Sequence, residues 1–388
     1  MTRSTKRVRG IAALIATVGL TLSACGTTED SGGGDGDSAS GDGAACDLTL
    51  AFFGPQTGPA AGLGEPIING AQLAIDEYNA EAECEVAYEQ IDSQGSPDQA
   101  PSLATEAVGN DAIIGVVGPA FSGESAAAGP IFSEGGLPTI SPSATNPALS
   151  ENGWDTFHRA LGNDATQGPA AAAYIRDTVA ATSVFVIDDA SEYGAGLAGI
   201  VEEELGDTVV DSDTIQTGQT DFSATATKVG SSDADTVFFG GYYAEAGLLV
   251  RQLRDSGFEG TFVVADGVKD PGYMDSARDA AEATVITCPC IPADDPAVAE
   301  FASAYEAEFG GAPGTYAAEA YDAAQIFLDG IAEGISTRED MLAFVNDYDE
   351  AGITKQLTFD ETGEPADVHV YAYTVEGGEI VPDQEITS

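Results

Sequence analysis

From residue 48 onward the chain alternates short runs rich in β-branched and aromatic residues with longer alanine-rich stretches, in two successive series. In the first, strand-like 48–53 precedes a helix near 67–78, where Ala71, Ala74, Ile75 and Tyr78 share a face. Residues 86–91 then precede 97–108, residues 113–117 precede 125–133, and Thr139-Ile140 ends in a Ser-Pro loop. The pattern restarts after Gly162, with 184–187 leading to 196–204, 209–211 to 222–229 and 236–239 to 243–256; strand-like 262–264 and 284–287 follow. Such alternation predicts α/β units around parallel sheets. Two series in 388 residues exceed what one compact core serves, and predict two doubly wound lobes.

The first 25 residues are of another kind. Arg3, Lys6, Arg7 and Arg9 precede an apolar run over 11–22 that ends in Ser23-Ala24-Cys25. This is a secretory signal, too short and wrongly flanked for a lasting membrane span. Leu22-Ser-Ala-Cys25-Gly resembles the bacterial lipoprotein box, in which the cysteine is lipidated and becomes the first mature residue. Residues 1–24 are therefore read as a lipoprotein signal peptide, and Cys25 as the lipidation site. Residues 25–45, rich in Gly, Ser and Asp, cannot bury anything and read as a flexible tether. The expected location is the extracytoplasmic face of a bacterial cell membrane, with attachment through the lipid on Cys25.

Beyond Cys25 the chain has Cys46, Cys84, Cys288 and Cys290, an even number suited to an oxidising compartment. Four cysteines allow three pairings. Cys46 and Cys84 each open a strand-like run, and would sit side by side if those strands are parallel neighbours, which favours Cys46–Cys84. Cys288-Pro-Cys290 would then close a tight ring. A zinc site usually brings two close pairs and only one is present, so no metal is expected.

Charge removes further classes. With 13 Lys+Arg against 65 Asp+Glu, the formal charge is −52. A surface that negative repels phosphate backbones, which excludes nucleic-acid binding as a main activity, and argues equally against charge-driven adsorption to anionic lipid. Only His158 and His369 are available for triad or metal chemistry, and no G-x-S-x-G or H-E-x-x-H occurs. Gly194-Ala-Gly196-Leu-Ala-Gly199 matches G-x-G-x-x-G, but six residues separate Gly194 from the strand end at Ile187, whereas a dinucleotide turn follows its strand directly. The enzyme readings are therefore set aside, and no cofactor is expected.

Ligands of parallel sheets sit beyond the carboxyl ends of the strands. Four such loops carry chemistry: Gly118 to Gly123 with Ser122, Ser141 to Pro147 with Ser143 and Thr145, Asp188 to Gly194 with Tyr193, and Ala265-Asp266-Gly267. Ser122 and Thr145 read as helix N-caps, which can also present N–H donors to an anion. Tyr193 alone would be a packed aromatic, and Asp266 before glycine a turn residue.

Together these loops resemble the type I periplasmic binding proteins of the branched-chain amino-acid group, which deliver ligand to an ABC importer. The landmarks are Gly54-Pro-Gln-Thr-Gly-Pro59, Gly118 to Ser122, Ile140 to Pro147, Gln167 to Tyr174, Tyr193 to Ala198, Asp221-Phe-Ser223, Phe239-Gly-Gly-Tyr-Tyr243 and Asp360-Glu-Thr-Gly363. The resemblance implies a flytrap of two Rossmann-like lobes, 46–163 with 291–369 and 164–290 with 370–388, joined by three hinge crossings near 161–164, 290–293 and 368–370. It implies that Ser122 and Thr145 donate to an amino acid's carboxylate, that the Ser143 carbonyl and Thr145 hydroxyl accept from its ammonium, and that Asp266 pairs with that ammonium. Tyr193 and Tyr242 would close over the ligand. Leu63 stands where the family's first loop has an aromatic bordering the ligand side chain. Permease and ATPase subunits are the implied partners, and a monomer the implied state. The alternatives are the same fold binding an amide, urea or an aromatic acid, or serving as a ligand sensor subunit.

Overall fold

A computed structural model describes residues 47–386. The signal peptide, the tether, Cys25 and Cys46, the expected partner of Cys84, lie outside the described residues. Among those residues, no helix is long and apolar enough to cross a membrane.

The first sheet comprises β1 (Thr49–Gly54), β2 (Ala87–Asp92), β3 (Ile113–Val117), β4 (Thr139–Ser141) and β5 (Phe157–Arg159) in the order β2-β1-β3-β4-β5, every pair parallel. Every residue of β1 and β3 is buried, as in strands covered on both faces, which is why these segments read as unbroken apolar runs. The crossovers are α1 (Ala61–Glu81), α2 (Ala100–Gly109) and α3 (Ser122–Glu134). Helix α1 starts six residues before the expected 67, because Gly62, Gly64 and Pro66 disguise its first turns. Leu63 therefore lies on a helix, not in a loop.

The second half uses α4 (Asp164–Asp177), β6 (Val184–Asp188), α5 (Glu192–Leu205), β7 (Val209–Thr214), α6 (Ser223–Ser231), β8 (Thr236–Gly240), α7 (Tyr243–Asp255), β9 (Thr261–Ala265), α8 (Pro271–Ala277) and β10 (Val285–Cys288). The chain then returns to the first half. There α9 (Ala299–Phe309), α10 (Ala317–Ala332) and α11 (Arg338–Asn346) pack, α10 lying along α1, with the small hairpin β11 (Asp349–Ala351) and β12 (Gln356–Thr358). Finally β13 (Tyr371–Glu376) and β14 (Glu379–Glu385) complete the second sheet, ordered β14-β13-β10-β9-β8-β6-β7. This sheet is mixed, not parallel throughout as expected: β13 and β14 run antiparallel. Gly377 and Gly378, at φ 61° and 85°, form the two-residue turn that such a hairpin needs.

Three segments connect the halves, and they meet at Gly162. A Cβ there would stand 2.3 Å from Val368 Cγ1 and 3.4 Å from Pro289 Cβ, so glycine leaves the space that the Val368 side chain fills. Side chains tie the same segments: Lys355 Nζ donates to the Ala160 carbonyl at 2.6 Å, Ile291 N to Glu319 Oε1 at 2.8 Å, and Tyr373 OH to the Cys290 carbonyl at 2.9 Å. Cys288 and Cys290 form a disulfide around Pro289. His158 is buried in β5 and shares a 2.9 Å hydrogen bond with Asn346 Oδ1.

Candidate functional site

The strand-end loops of the two sheets face one another. On the second half, Asp266 follows β9 directly and is buried. Its Oδ1 accepts from Gln167 Nε2 and from Tyr193 OH, both at 2.7 Å. Its Oδ2 accepts from Tyr316 OH, which belongs to the first half, at the start of α10. Three donors compensate much of the desolvation, yet burial remains the largest influence and holds the carboxyl above its ordinary range. Tyr193 sits in the first turn of α5, whose Ser191 cap accepts from Gly194 N.

On the first half, Ser122 opens α3 and Thr145 lies in the loop after β4; both are buried. Neither is an N-cap, contrary to expectation. The Ser122 hydroxyl instead accepts from Asn146 N at 3.2 Å, while Asn146 Oδ1 caps the short helix that begins at Pro147. Asn146 prevails because its carboxamide can accept at the helix start while its Nδ2 donates across to the Glu192 carbonyl at 2.9 Å. The Ser143 hydroxyl donates to the Ala120 carbonyl at 2.6 Å, joining the two loops.

Between the halves lies a set of buried acceptors without protein donors: Thr145 Oγ1, both carboxylate oxygens of Asp164, and Gln167 Oε1. The Thr145 hydroxyl is close enough to Asp164 to pull its pKa down, but the two do not reach full hydrogen-bond geometry. Burial, reinforced by the neighbouring Asp266 carboxylate, pushes Asp164 well above the usual carboxylate range. Two carboxyls and several neutral acceptors thus converge in a water-poor space, an arrangement suited to a cation that donates hydrogen bonds.

Tyr242 completes the wall. Its ring lies 5.2 Å from Tyr193 and 4.7 Å from Phe121 of the opposite half, centroid to centroid. Leu63 is fully buried in the same apolar cluster as Phe121 and Tyr316, and takes no part in the polar network. Further bonds across the interface run from Gly62 N to Tyr243 OH at 3.1 Å and from Thr315 Oγ1 to the Lys269 carbonyl. The two halves are closed on each other.

Of the expected residues, Tyr193, Tyr242 and Asp266 meet on one side, and Ser122, Ser143 and Thr145 on the other. Sequence reasoning missed Asp164, Gln167 and Tyr316. Gln167 opened a recognised landmark and could have been found there. Asp164 was visible only as a residue near the first crossing, and Tyr316 follows no strand, so nothing local marked it. The glycines of the G-x-G-x-x-G match lie inside α5; Gly194 lets that helix approach the Gly240 carbonyl, where a Cβ would come within 2.6 Å.

Residues 47–379 match the periplasmic binding protein family. The chain belongs to that family. Among its relatives, the Leu/Ile/Val-binding protein BraC3 of Rhizobium johnstonii is 33% identical over 347 residues, 87% of this chain and 94% of the relative. The crystal structure of the leucine binding protein LivK from Thermotoga maritima superposes with a TM-score of 0.82 at 26% identity, covering 87% and 98% of the two chains. That of the branched-chain amino acid transporter substrate binding protein LivJ from Streptococcus pneumoniae, in complex with isoleucine, gives 0.81 at 29% identity over the same shares. The type I periplasmic binding protein fold follows, and with it a place among solute-binding proteins of ABC transporters.

Proposed function

We propose that this chain captures an α-amino acid of the branched-chain kind between its two halves and presents it to the permease and ATPase of an ABC importer. The observation that carries this reading is the acceptor set of Thr145, Asp164 and Gln167 beside Asp266, buried and short of donors. An ammonium group satisfies it with three donors and a positive charge; a neutral amide or urea brings no charge to these two buried carboxyls, and an aromatic acid brings an anion beside them.

In this reading Ser122 and the backbone around Thr145 hold the ligand carboxylate at the start of α3. The Ser143 carbonyl, the Thr145 hydroxyl, Asp164 and Asp266 receive the ammonium. Tyr193, Tyr242 and Phe121 close over the ligand, and Leu63 borders its side chain. The segments meeting at Gly162 act as the hinge between 46–163 with 291–369 and 164–290 with 370–388. Because contacts come from both halves, ligand stabilises the closed form over the open one, which is the shape an importer reads. Lipid on Cys25 and the 25–45 tether keep the monomeric body at the outer face of the membrane, and a Cys46–Cys84 bridge anchors the first strand.

Isothermal titration calorimetry with leucine, isoleucine, valine, acetamide, urea and benzoate tests the ligand class. The expected result is binding of at least one of the three amino acids below ~1 mM, about −4 kcal/mol. Preference for benzoate or an amide over all three amino acids would overturn it.

A further inference from the structure

We propose that Arg159 is a positioning residue for ligand capture: its buried guanidinium clamps the loop that carries Thr145. The inference rests on the ligand reading above and assigns it a residue that touches no ligand. Arg159 ends β5 and is completely buried. Its Nη1 donates to the Ala144 carbonyl at 2.7 Å and its Nη2 to the Asn146 carbonyl at 3.0 Å. These are the carbonyls on either side of Thr145. The Thr145 carbonyl itself accepts from Asp164 N at 2.8 Å. Three consecutive carbonyls are thus held, so the peptide planes on both sides of Thr145 are fixed, and with them the direction of its N–H and hydroxyl.

The guanidinium is itself held from behind. Nη2 also meets Ser150 Oγ and Glu364 Oε1, each at 2.9 Å, and the ring of Phe157 lies 5.1 Å from its centre. A planar fork with fixed donor directions can bridge two carbonyls in separate peptide planes; a lysine ammonium, one point charge on a flexible stem, cannot hold both in register. Burying an arginine behind a loop it never leaves is costly unless its geometry is used. Here the geometry serves the one residue expected to contact both ends of the ligand.

The test is a double-mutant cycle read by calorimetry with isoleucine, using Arg159→Lys, Thr145→Ala and the pair. Arg159→Lys is expected to weaken binding about tenfold in the parent background, and to add less than about twofold once Thr145 is alanine. A merely structural role would give losses that add in full. Should Arg159→Lys not fold, Glu364→Gln and Ser150→Ala loosen the same guanidinium from outside, and are expected to weaken binding about two- to threefold with the same dependence on Thr145. Fully additive losses, or parental affinity in all these variants, overturn the proposal. Parental affinity in Thr145→Ala instead removes the ligand reading beneath it, which separates the two failures.

Discussion

Tyr316 of the first half donates its phenolic hydrogen to Asp266 of the second, a carboxylate already hydrogen-bonded by Tyr193 and Gln167. The side chain that would recognise a ligand cation is therefore also a point where the closed halves are joined. Tyr316 reaches it from a left-handed backbone conformation, φ 69°, at the start of α10. That conformation is unfavourable for a bulky residue, and is held by the packing around a buried ring.

Removing only that hydroxyl should weaken closure and leave each half folded. Tyr316→Phe is expected to raise Kd for isoleucine about tenfold, in line with loss of a hydrogen bond to a charged group worth ~1.5 kcal/mol. Thermal melting without ligand should change little. Calorimetry showing parental affinity would exclude a contribution of Tyr316 to capture.

Removing the Asp266 carboxylate itself should be more severe. Asp266→Ala is expected to reduce affinity by roughly a hundredfold, since truncation leaves a buried partner charge unpaired at ~2–5 kcal/mol, and Thr145→Ala by about tenfold, the loss of one hydrogen bond to a charged group. The same titrations measure this, and either variant binding as tightly as the parent contradicts the assignment of that residue.

Glu124 gives a pH prediction. It is fully buried in the first turn of α3, with Ser93 Oγ donating to Oε1 at 2.8 Å and Oε2 unpartnered. Burial pushes the carboxyl up to about 8, against the lowering influence of Ser93 and of the Phe121 and Ala120 N–H groups, while Asp92 adds a small upward push. The folded-state pKa exceeds the ordinary 4.5. Its stabilising contribution is therefore fully present below the ordinary value and is lost as pH rises to about 8, at up to about 1.4 kcal/mol per unit. Glu124→Gln should thus become progressively more stable than the parent between about pH 5 and pH 8. Urea denaturation at both pH values checks this; a constant difference between variant and parent would refute it.

The acidic surface predicts a response to salt. Repulsion within a chain of formal charge −52 is screened as ionic strength rises, so the melting temperature should climb by several degrees between low and molar salt. Scanning calorimetry across a sodium chloride series measures it, and a flat profile would show that the charges lie too far apart to matter.

Anchoring is tested separately. Cys25→Ser in the full chain should shift the protein from the membrane fraction to the soluble fraction of the producing cell, and remove the lipid mass from its N-terminal peptide. Retention in the membrane fraction without lipid would mean that the apolar run 11–22 stays on as an anchor.

The two α/β series and the strand-end loops that carry Ser122, Thr145, Tyr193 and Asp266 were legible because they follow local rules, whereas Tyr242 was marked only by the family resemblance. Apolar runs of strand length become strands, and the loops at their carboxyl ends carry the chemistry. The terminal hairpin, the early start of α1 and the capping by Asn146 instead of Thr145 were not legible, since each depends on a neighbour distant in sequence or on glycines that hide a helix. The same holds for Asp164, Tyr316 and Arg159. Asp266 receives hydrogen bonds from residues 50, 73 and 99 positions away, two of them on different helices and the third immediately before another. Composition and periodicity determine which segments become strands and which faces are buried. How two sheets close on each other, and so which buried carboxyl meets which hydroxyl, is decided only when non-local packing brings their ends together.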